Sequence, residues 1–284
     1  MLNKHNVLAI ATSFLLLVPQ IQADELVDKG RKVFKANQGS VVTIQIVIKS
    51  KMSFGGLGGQ DNESKQDVTG TVIEPNGLTV LSLSSTDPGG MFQTIMAGMS
   101  DQAEGKFKMD TELNDIKMLL DDGSEVPCAI VLRDKDLDLA FIRPKAELTT
   151  PLPALDLTKS AKADILDQVV ALNRLGKAAN RAYAASFERI AATVQKPRLF
   201  YVPDSSMSKT SLGSPAFNLD GQVIGVFVMR ATKPSGGMMG MLSGGAPDFM
   251  TSVIVPAEDV LKAAKQAPAV KPPEKSDEKE AKKQ

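Results

Sequence analysis

The residues able to do chemistry are few, and their scarcity narrows the mechanism at once. The 284-residue chain holds one histidine, His5, and one cysteine, Cys128. A serine or thiol nucleophile needs a base to take its proton, most often an imidazole oriented by a carboxylate. The only imidazole stands at the fifth residue, so the body of the chain has none. Cys128 lies in "EVPCAIVL", where alternation puts Val126, Cys128, Ile130 and Leu132 on one face of a strand. That is the setting of a buried structural thiol, because a reactive thiolate wants a positive neighbour or a helix N-terminus. Lys209 stands close in sequence to Ser211 and Ser214. A Ser–Lys pair hydrolyses only where the lysine is desolvated enough to act as base. Methionines gather in two Gly-rich stretches, Met91, Met96 and Met99 in one, Met238, Met239, Met241 and Met250 in the other. Thioether clusters suit Cu(I), although apolar packing is the commoner use of methionine.

These residues must be positioned by short strands with turn punctuation. "SVVTIQIVIK" alternates, with Val42, Ile44, Ile46 and Ile48 on one face. "VTGTVIEPNGLTVLSL" reads as two strands joined at Pro75-Asn76-Gly77, and "IKMLLDDGSEVPCAIVL" as a hairpin turning at Asp121-Asp122-Gly123. "DLAFIRP" closes the first half. The second half repeats the style through "DQVVALN", "RAYAASFERIAATV", "RLFYVP", the hairpin "TSLGSPAFNLDGQVIGVFV" and "TSVIVP". "AEDVLKAAKQA" then reads as a helix with Val260 and Leu261 facing inward. Many short strands, few helices and two similar halves predict an all-β fold of two packed barrels.

The ends differ from the body. Lys4, the apolar run Val7 to Val18 and Ile21-Gln22-Ala23 have the three parts of an export signal. The apolar run is well short of the ~20 residues that span a bilayer, so cleavage after Ala23 and release to the periplasm or outside are expected. The segmentation follows: 1–23 signal, 24–37 a helical segment, 38–155 the first barrel, 156–266 the second barrel with its helix, and 267–284 a charged, disordered tail. Lys plus Arg equals Asp plus Glu, 33 each, and the charges are scattered, which disfavours nucleic acid and membrane surfaces as partners. One cysteine allows no intrachain bridge.

The order of pieces resembles the trypsin-like HtrA/Deg serine proteases of the bacterial envelope. "GTVIEPNGLTVLSLSSTD", "IKMLLDDGSEVPCAIVLRDKDLDLAFIRP" and "TSLGSPAFNLDGQVIGVFV" carry the likeness. It implies two six-stranded barrels of the trypsin type, with short helices at the ends. It also aligns the triad: Ser84 falls where the family has its catalytic His, Asp138 keeps the aspartate, and Leu212 falls where the family has its nucleophilic Ser. The oxyanion positions become Thr210 and Leu212, with Ser214 replacing a Gly and Gly213, Pro215 and Asn218 retained. Asp138 is then expected to accept hydrogen bonds from Ser84 or backbone amides.

The leading expectation is a pseudoprotease that binds polypeptide segments or an envelope protein as an added strand. Met238, Met239, Met241 and Met250 are the candidates for its side-chain pocket. The alternatives are a hydrolase built on Lys209 with Ser211 or Ser214, and copper binding by the methionines. No cofactor or resident metal is expected. The likeness does not extend to the PDZ module that such proteases usually carry, and it leaves self-association open.

Overall fold

The alternating run after residue 40 becomes the first strand, β1 (Val41–Phe54), with Ile44, Ile46 and Ile48 buried at the centre of a barrel. The computed structural model describes residues 18–54, 57–90, 107–204, 212–232 and 250–269. After β1 come β2 (Leu57–Val72), β3 (Thr79–Ser82), β4 (Phe107–Leu119), β5 (Glu125–Asp134) and β6 (Leu139–Pro144). They close in the order β1-β2-β3-β6-β5-β4. The second set is β7 (Gln168–Arg174), β8 (Tyr183–Val194), β9 (Phe200–Pro203), β10 (Pro215–Phe217), β11 (Val223–Ala231) and β12 (Met250–Pro256). It closes as β7-β8-β9-β12-β11-β10, the same topology used twice. Closure pairs every strand on both sides for part of its length, so open edge is left at strand ends that outrun a neighbour.

Three turns read in the sequence close as tight hydrogen-bonded turns. The Gly77 N–H bonds the Glu74 carbonyl at 2.9 Å, Gly123 bonds Leu120 at 3.1 Å, and Gly221 bonds Asn218 at 3.1 Å. Two other features depart from the alternation. β2 starts at Leu57 rather than near Val68, because β1 offers main-chain partners along its whole length, with Lys51 opposite Asp61 and Lys49 opposite Glu63. Pairing partners override the weak strand propensity of that polar, Gly-rich stretch. On β5 the register slips between Ile130 and Leu132. Val126, Cys128 and Ile130 therefore pack inside the first barrel while Leu132 joins the inter-barrel core. One inserted residue sends the next side chain to the other face.

Helix α1 (Val18–Asn37) runs through the expected cleavage position at Ala23. It lies on the second barrel, with Val33 buried in the inter-barrel core and Gly30 seated under the Phe187 ring. A one-turn helix, α2 (Leu83–Thr86), follows β3 directly. The last helix, α3 (Ala257–Ala264), turns Val260, Ala263 and Ala264 inward, while Leu261 is half-buried.

Each barrel has its own interior, and a third core joins them. Val41, Val80, Leu139 and Phe141 of the first barrel pack in one cluster with Val170, Leu172, Phe217, Val226 and Val228 of the second. Several strands are thus buried on both faces. At the seam the hydroxyl of Thr69 donates to Asn173 at 2.9 Å, and Arg181 pairs with Asp67 at 2.8 Å.

Candidate functional site

Because β3 passes straight into α2, Ser82 and Ser84 both face the turn between β5 and β6. Asp138 ends that turn in the left-handed region, at φ 55°, which Asp tolerates better than most residues. The Asp134 side chain shapes the turn by accepting the Leu137 N–H at 3.0 Å. The Ser82 hydroxyl donates to Oδ2 of Asp138 at 2.5 Å. Ser84 donates twice to Oδ1, from its hydroxyl at 2.6 Å and its N–H at 2.7 Å. A fourth donor, the Met229 N–H of β11, reaches Oδ2 from the second barrel at 2.9 Å. Burial pushes the Asp138 carboxyl above its ordinary range, and the bonds from Ser82, Ser84 and Met229 pull in the other direction.

Both oxygens of this carboxylate are engaged, and it ties the two barrels together. A carboxylate has too little basicity to make an alkoxide of Ser82 or Ser84 at neutral pH. The cluster is well built as a polar joint and poorly built as an acid–base pair.

The loop before β10 carries the position of the expected nucleophile. Leu212 there is 3 % exposed. Next to it Gly213 has φ +89°, and a Cβ on it would stand 2.2 Å from the Thr69 carbonyl oxygen of β2. Only glycine meets both demands. The Gly213 carbonyl accepts the Thr71 hydroxyl at 2.7 Å, and its N–H bonds the Phe227 carbonyl at 2.7 Å. Ser214 is fully buried, with no hydrogen-bond partner for its hydroxyl among the described residues. Lys209, Thr210 and Ser211 lie outside the described residues, as do Met91, Met96, Met99, Met238, Met239 and Met241. Met250 is described, and it heads β12 opposite Ala231 rather than sitting in a loop.

Beyond this joint β11 continues to Ala231. Phe227 turns its N–H and C=O toward Ser214 and Gly213, and the Met229 N–H points the same way, to Asp138. Alternation directs the Met229 carbonyl and both Ala231 backbone groups to that side too. The register of β10 on β11 stops at Pro215 opposite Val226. On the other side Met229–Ala231 pair with Ser252–Met250 of β12.

Sequence reasoning placed Ser84 and Asp138 together but missed Ser82, the Met229 amide and Thr71. Ser82 had a signal, being two residues before Ser84 at the end of a strand. The other two had none, since they come from the opposite barrel or serve it.

Residues 68–226, more than half of the chain, match the trypsin-like peptidase domain family. The chain belongs to that family. Its relatives include the probable periplasmic serine endoprotease DegP-like of Hahella chejuensis, 30% identical over 163 residues. That match covers 56% of this chain and 32% of the relative. A protein of the same description from Halomonas elongata is 31% identical over 132 residues, 45% of this chain and 27% of the relative. The chain spans about a third or less of the stretch of these relatives. As a trypsin-like domain it carries the joint of Ser82, Ser84 and Asp138 at the meeting of its two barrels.

Proposed function

We propose that this trypsin-like domain is an exported pseudoprotease that holds extended polypeptide segments without cutting them. The observation that carries this reading is the state of Asp138: hydroxyls and amides occupy its carboxylate, and no imidazole exists in the chain beyond His5. Leu212 at the nucleophile position is buried and has no group able to attack a carbonyl.

Binding needs neither group. The end of β11 turns backbone donors and acceptors toward the side where β10 no longer pairs, and an extended peptide adds to such an edge by main-chain hydrogen bonds. The periplasmic relatives and the export-signal pattern of residues 1–23 support export. A hydrolase using Ser214 is disfavoured, because a buried hydroxyl does not reach a substrate carbonyl. The partners are polypeptide segments, free or within an envelope protein.

Proteolysis tests the reading. The purified chain and a Leu212→Ala variant are incubated with an unfolded protein, and products are read by mass spectrometry. No new termini from either is the expected result. Cleavage by both that survives repurification overturns the proposal, and its loss on changing Lys209, Ser211 or Ser214 would assign the centre.

A further inference from the structure

We infer that the cleft beside the end of β11 recognises a carboxylate side chain, so that the peptides this domain holds are acidic. The inference rests on the strand-addition reading above. A cavity of about 370 Å³ opens between the β5–β6 turn and strands β9, β11 and β12. Lys135, Arg198 and Arg230 bring three positive charges to its wall, and Asp136 and Asp138 two negative ones. The two acids do not cancel the three bases. Asp138 already accepts four hydrogen bonds and is largely withdrawn from solvent. Asp136 is 80 % exposed and, among the described residues, pairs with Arg198 alone, at 3.6 Å. Among the described residues neither Arg230 nor Lys135 has a carboxylate within salt-bridge distance.

Arg230 is placed to use its free charge. Its guanidinium lies over the Phe200 ring, 4.6 Å from the centroid, a stacking that holds the group in one orientation before any ligand arrives. A planar guanidinium so held offers two parallel donors to a carboxylate. Strand alternation puts Arg230 on the same face of β11 as Val228, which is buried in the inter-barrel core where the cleft begins. A peptide added along Met229–Ala231 lays alternate side chains over that face. One of them meets Arg230, with Lys135 across the cleft. A glutamate or aspartate there replaces the missing counter-ion. A neutral side chain leaves two cations facing each other.

Fluorescence anisotropy on the full chain decides it. The probes are fluorescein-labelled, alternating Thr/Val octapeptides with one Glu scanned along them, each matched by a Gln peptide. At one position the Glu peptide is expected to bind about tenfold tighter than its Gln partner. That preference is expected to fall to about twofold or less in Arg230→Gln and to shrink at roughly 0.5 M salt. Lys135→Gln changes an exposed side chain and is the control for a misfolded Arg230 variant. It too is expected to reduce the preference. Equal binding of Glu and Gln peptides at every position overturns the acidic cleft and leaves strand addition standing. A preference that neither variant changes overturns the assignment to Arg230 and Lys135. Failure of every peptide to bind overturns strand addition and the cleft with it. Ala231→Pro, which deletes a strand amide, is expected to weaken Glu and Gln peptides alike.

Discussion

Asp138 illustrates what becomes of a partly buried carboxylate with no imidazole beside it among the described residues: hydroxyls and amides take up its lone pairs. Replacing it with Asn keeps the shape but turns an NH2 group toward two of its donors. Asp138→Asn is expected to cost about 1–3 kcal/mol of stability in urea unfolding; a variant as stable as the parent would show that the joint contributes nothing. The pH response has a definite sign. Burial raises the folded carboxyl above its unfolded value of about 3.9. Between the two values the unfolded chain is ionised while the native one keeps its proton. The native state then binds more protons, so this contribution to stability falls as pH climbs through that window. Asp138→Asn is expected to lack that slope between roughly pH 4 and the raised folded value, as unfolding free energies measured across the range would reveal. At this scale the sequence supplied Asp138 and Ser84, because a resemblance aligned them. It was silent on Met229, whose amide arrives from 91 residues away.

Strand β2 does more than line the first barrel. Its Thr71 hydroxyl donates to the Gly213 carbonyl, and its Thr69 carbonyl leaves room for nothing larger than glycine there. The loop before β10 is thereby clamped to the opposite barrel by one element. Thr71→Val is nearly isosteric and leaves a buried carbonyl without its donor, for an expected loss of about 1–3 kcal/mol. Thr71→Ser keeps the hydroxyl and is expected to lose less of it. Equal stability of the Val and Ser variants in chemical denaturation would mean that the hydroxyl is idle. The elements themselves were mostly legible, since alternation marked β1 and Gly-bearing turns marked the hairpins. What could not be read was where pairing overrides pattern. The early start of β2 depends on partners offered by β1, and the slip on β5, which divides its side chains between two cores, has no mark in the alternation.

For the whole molecule, the shared core predicts that the two barrels unfold together. Residues from both, with Val33 of α1 and Val260 of α3, make one continuous buried cluster, and separating the barrels would expose all of it to water. Calorimetry is expected to give one transition with calorimetric and van't Hoff enthalpies in agreement; two resolved transitions would show barrels that fold independently. By itself the sequence determined where an imidazole can come from: its one histidine is His5, and residues 6–284 supply none under any fold. It also determined the strand-rich class, because periodicity and turn residues are local. The tertiary structure alone decided how Asp138 is satisfied, that Gly213 sits against Thr69, and that Lys135, Arg198 and Arg230 share one cleft. Those features join residues far apart in the chain, and their contacts arise only when two closed barrels pack face to face.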